Sequence, residues 1–169
     1  LAERIVAGLY VAVLLHEIVH KHGPRTVGEA GMRRLVDGVK AWANSPMPSI
    51  ERRIHDVASA KARAAAGPAG PVHDEELFAY AVEEAVAAGV RPTLEGREGS
   101  AEQWLGDVVA TLRGAIFQIT QGAAPALDAQ QIVDLAYALA QMESPEHGPL
   151  IRKQLDAMKR EPSEAESKP

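Results

Sequence analysis

The chain has 169 residues, 46% of them hydrophobic but only 4% aromatic, with a formal net charge of −5; this length predicts one domain with a real core, and the acidic balance argues against a nucleic-acid partner, since the basic pairs Arg33-Arg34 and Arg52-Arg53 are short and flanked by acids. The absence of cysteine excludes disulfides, a thiolate nucleophile and a Cys-type zinc site, and suits a cytoplasmic protein. The longest apolar run, Ile5 to Leu15, is about half of the roughly 20 residues that a spanning helix needs, so no membrane is expected.

Alanine supplies much of the apolar content, and β-branched runs bounded by turns are nearly absent, which predicts an all-α fold. The expected architecture is a bundle of about six or seven helices around a central apolar N-terminal helix. That first helix runs from Ala2 to His22, apolar on nearly every face, and stops at Gly23-Pro24. Thr26 to Glu29 has the form of a capping box and opens a second helix to Ala43, with Met32, Leu35, Val36, Val39 and Trp42 inward. Ser49 caps a third, weakly apolar helix that ends near Ala66 and lies on the surface or against a partner.

The stretch 67–71, Gly-Pro-Ala-Gly-Pro, is linker-like and could subdivide an otherwise single domain of residues 1–160. Leu77, Phe78, Ala81, Val82, Ala85 and Val86 form the stripe of a fourth helix, Asp74 to Ala88. Ser100 with Gln103, and Asp128 with Gln131, mark the starts of two more, and a short last helix spans Pro149 to Lys159. Residues 161–169 have the composition of a disordered tail.

Chemistry is concentrated in His16-Glu17-Ile18-Val19-His20. Residues four apart share a helix face, so His16 and His20 can present two nitrogens to one ion, with Glu17 beside them as a general base. A third ligand is needed, and Glu29, Asp37 and His55 are the candidates from later helices. The motif resembles that of the zincin metalloproteases, and the resemblance implies zinc bound by the two histidines and a hydrolytic role for Glu17. It covers five residues and the apolar approach Val13-Leu14-Leu15; Lys21-His22 after the second histidine, Thr26 where some zincins carry a third histidine, and the lack of an upstream sheet depart from it.

The same residues have a structural account. His16, His20, Lys21 and His22 fall in the last turns of the predicted helix, where basic groups complement its negative end by about 0.3–1 kcal/mol each. Glu75-Glu76 and Glu83-Glu84 read as solvated faces or first-turn acids, and His55-Asp56 is the weak trace of an HD-type phosphohydrolase. The favoured reading is a non-enzymatic helical module that binds another protein or itself and needs no cofactor. The alternative is a zinc-dependent hydrolase built on His16, Glu17 and His20.

Overall fold

The computed structural model describes residues 2–95, 99–120 and 127–165, with side chains for 12–95, 99–119 and 127–157. They form an all-α bundle of six helices: α1 (Ala2–Lys40), α2 (Ile50–Ala66), α3 (Pro71–Ala87), α4 (Ala101–Thr120), α5 (Ala129–Ala140) and α6 (Gly148–Ala165). No strand occurs among the described residues, and none of their helices is long and apolar enough to cross a membrane.

The first two predicted helices are one element with an interruption, and the interruption is not at Gly23-Pro24. Gly23 is helical and buried, and its missing Cβ makes room for Met32, whose sulfur lies 3.0 Å from where that carbon would stand. Pro24 is carried inside the helix, where it removes the bond that would have reached the carbonyl of His20. The helical path breaks at Gly28, with φ 73° and ψ 172°, a conformation essentially reserved for glycine. Thr26 is therefore not a cap; its hydroxyl meets the Met142 sulfur at 3.6 Å.

A Cβ at Gly28 would touch nothing within 4 Å, so Gly28→Ala carries backbone strain alone. The expected cost is about 1–3 kcal/mol, read as a thermal midpoint lowered by several degrees. Unchanged stability would show that the backbone at 28 does not hold this conformation.

The two halves of α1 are fastened differently. Residues beyond Gly28 are tied to the far side of the bundle: Arg34 donates to the Ile119 carbonyl, and Trp42 Nε1, in the turn Ala41–Asn44, donates to the Leu127 carbonyl at 2.7 Å. The earlier half lies against α3 and leaves Val13 and Leu14 about half exposed, at 50% and 46%. So α1 is not enclosed on every face as its composition suggested; the side chains before Ala12, Leu9 included, lie outside the described residues.

The stretch 67–71 is a tight turn rather than a spacer. Gly67 and Gly70 take positive φ, and His73 Nδ1 closes onto the Gly67 carbonyl at 2.8 Å. Helix α3 packs on α1 and α2 before the turn and on α5 after it. Its buried face is the predicted stripe, Leu77, Phe78, Ala81, Val82, Ala85 and Val86, joined by Ala79. Helix α2 lies on it through Ile54, Ala58 and Ala62, the two alanines allowing close approach.

The other predicted caps form. Ser49 accepts from the Arg52 amide at 3.2 Å. Ser100 with Gln103, and Asp128 with Gln131, exchange reciprocal bonds of 2.8–3.2 Å. Helix α6 buries Ile151 and Leu155 and runs on to Ala165, into the stretch expected to be disordered; residues 166–169, and the side chain of Met158, lie outside the described residues.

Candidate metal centre

His16 and His20 sit on adjacent turns of α1, both facing α3. There Glu76, Tyr80 and Glu83 recur at helical spacing and form one polar stripe beside the apolar one. His20 reaches Glu76, while His16 reaches both Glu76 and Glu83, so the two helices run antiparallel here.

The histidines and one of these acids converge. Glu76 Oε2 is 3.4 Å from His16 Nε2, and Glu76 Oε1 is 3.5 Å from His20 Nε2. One donor atom from each of the three lies within 4.8 Å of the others, and no other such group of histidine and acidic side chains occurs among the described residues. Ligands about 2.0–2.1 Å from a tetrahedral zinc ion are about 3.3–3.4 Å from one another. The two Glu76–histidine contacts, at 3.4 and 3.5 Å, are close to that separation.

Satisfaction and charge point the same way. Glu76 Oε2 is buried and makes no aligned hydrogen bond, a costly state unless another partner is supplied. Lys61 pairs with Glu83 and Glu84, whereas the partly buried carboxylate of Glu76 faces the two imidazoles. Two nitrogens and a carboxylate suit zinc better than magnesium or calcium, which prefer all-oxygen shells.

The surroundings are graded from dry to wet. Side-chain exposure rises from 9% at His16 to 22% at Glu76 and 29% at His20, so the cluster opens to solvent on the His20 side. Tyr80 closes the dry side, edge-on to His16 at 4.6 Å. Burial, with the charges of Glu76 and Glu83 and a smaller effect of Glu17, raises the Tyr80 phenol above its ordinary range. That influence places Glu17 near the stripe, while its side chain stays exposed and outside the ligand group. Desolvation pulls the Lys61 ammonium down, but Glu84 and Glu83 together hold it above the usual lysine value.

None of the third ligands expected from sequence is brought to the two histidines. Glu29 and Asp37 are exposed and lie beyond the break at Gly28. His55 is engaged on α2, with Asp56 at 3.3 Å and Ser59 at 3.2 Å. The hydrogen bond from His55, with the charge of Arg52, lowers the Asp56 carboxyl, but His55 and Asp56 gather no third metal-binding side chain. His22 faces away from the cluster: it is buried, and its Nε2 meets Glu143 at 2.6 Å. Lys21 joins the same carboxylate, and the two bonds hold Glu143 down to about 2.

The residues missed are Glu76 and Glu83. They are not solvated acids, since their side chains are only 22% and 15% exposed. The available signal was the repeat Glu76, Tyr80, Glu83 at helical spacing beside the apolar stripe of the same helix. No protein-family model, curated protein or solved structure matches this chain.

Proposed function

We propose that this protein is a zinc-dependent hydrolase whose metal is held between α1 and α3 by His16, His20 and Glu76. The observation that carries the reading is Glu76, which completes a two-histidine, one-glutamate donor set. Three protein ligands with a side open to solvent is the catalytic type of zinc site; structural sites usually have four. When bound, the ion supplies Lewis acidity and makes a nearby water easier to deprotonate. Glu17 follows His16 on the same helix and is exposed, so its carboxylate is free to accept a proton from water entering on the wet side. Tyr80, whose phenol is raised above its ordinary value, stays protonated at neutral pH and packs edge-on against His16.

Metal analysis of protein purified without chelator should give about one zinc per chain. Hydrolysis of a pooled peptide and ester library should require that zinc, and Glu17→Gln should keep the metal while losing about 10²–10⁴ of the rate. Metal-free wild type refusing added zinc would overturn the reading.

A second reading keeps the protein non-enzymatic, an interaction module with the ion as a clamp between helices. It is favoured by the half-exposed Val13 and Leu14, a candidate surface for a partner or a second copy. Under it, zinc still binds and Glu17→Gln changes nothing.

A further inference from the structure

His16 is addressed from both ends of its ring. Glu76 faces Nε2 at 3.4 Å, and Glu83 Oε2 lies 3.4 Å from Nδ1. A neutral imidazole carries its proton on one nitrogen and its lone pair on the other, and a carboxylate at one end decides which. Glu83 is itself held: its other oxygen accepts from Lys61 of α2 at 3.0 Å, and Lys61 also pairs with Glu84.

We propose that Glu83, anchored by Lys61, is the positioning residue of the metal centre. It keeps the His16 proton on Nδ1, so that the Nε2 lone pair points toward His20 and Glu76. This rests on the metal reading above. Glu83 is not a fourth ligand, because it lies at the opposite end of the ring from the converging donors and outside their group. The contact is within reach but unaligned, since His16 Nδ1 has no hydrogen bond of proper direction; it must align when zinc is held. Metal-bound histidines are commonly oriented by a carboxylate in this way, and removing that partner weakens metal affinity by about 10–100-fold.

The test is zinc affinity by chelator competition on the whole chain, with ¹H–¹⁵N spectra of the ring nitrogens. Zinc-loaded wild type should show a slowly exchanging proton on His16 Nδ1. In Glu83→Ala that resonance should vanish and affinity should fall about 10–100-fold, with the metal-free melting midpoint little changed. Lys61→Met should keep the resonance and lose less affinity. A Glu83→Ala protein that binds zinc within about twofold of wild type and keeps the resonance would overturn the role of Glu83 and leave the metal site standing. Equal affinity losses in Lys61→Met and Glu83→Ala, with equally lowered metal-free midpoints, would also overturn it, since Glu83 would then only hold α2 to α3. Wild type that binds no zinc would remove the metal reading itself.

Discussion

Zinc should raise the thermal midpoint of the wild-type protein, and Glu76→Gln should erase the rise. At free zinc about 100-fold above the dissociation constant, mass action adds about 2.7 kcal/mol of stability. For a chain of this size that is roughly 5–10 °C. The glutamine keeps the shape of the side chain but surrenders the carboxylate whose two oxygens face one imidazole each. The metal-free comparison separates two accounts. If Glu76 is there for an ion, metal-free Glu76→Gln is as stable as metal-free wild type, because the change also relieves repulsion from Glu83 and Glu84. If Glu76 is there to pair with imidazolium, the variant is destabilised without any metal. Differential scanning calorimetry with and without zinc reads both. Identical wild-type midpoints in the two conditions would sink the metal account.

Phe78→Ala should cost about 3–5 kcal/mol, the usual price of deleting a fully buried aromatic ring. Phe78 is 1% exposed, among the largest enclosed side chains, on the helix that α1, α2 and α5 all contact. Against a typical total of 5–15 kcal/mol, the loss is a large fraction of the stability. The midpoint of denaturant unfolding should drop at nearly constant slope, as expected when stability changes without a change in exposed surface. Zinc should still raise the midpoint of the variant, since Glu76 lies on the other stripe of α3. A Phe78→Ala protein unfolding near the wild-type midpoint would mean that α3 is not the centre of the core.

What could be read from the sequence was what is encoded locally. The caps at Ser49, Ser100 and Asp128 rest on bonds between residues three apart. The stripe of α3 follows from the helical period. His16 and His20 were visible as a pair for the same reason. Glu76 was not, because its role depends on how α3 registers against α1, and spacing within one helix carries no information about that. Its place in the first turns of α3 gave it a sufficient local explanation. The break in α1 was misplaced for a related reason. Gly23-Pro24 has the composition of a helix stop, but Gly23 is needed for the approach of Met32, a distant demand. The loop hydrogen bonds of Thr93 to Asp134, at 2.7 and 2.8 Å, were equally beyond local reading.

The break at Gly28 separates the half of α1 that carries His16 and His20 from the half tied down by Arg34. At that position there is space for a side chain but no permission from the backbone. Reflected in a mirror, its φ of 73° and ψ of 172° become the extended conformation common to ordinary residues. A D-amino acid would rest there without strain, and would shed some of the freedom that glycine enjoys in the unfolded chain. The junction between the two halves is thus set by handedness rather than by bulk: among the twenty coded residues, only the achiral one meets its requirement at no cost.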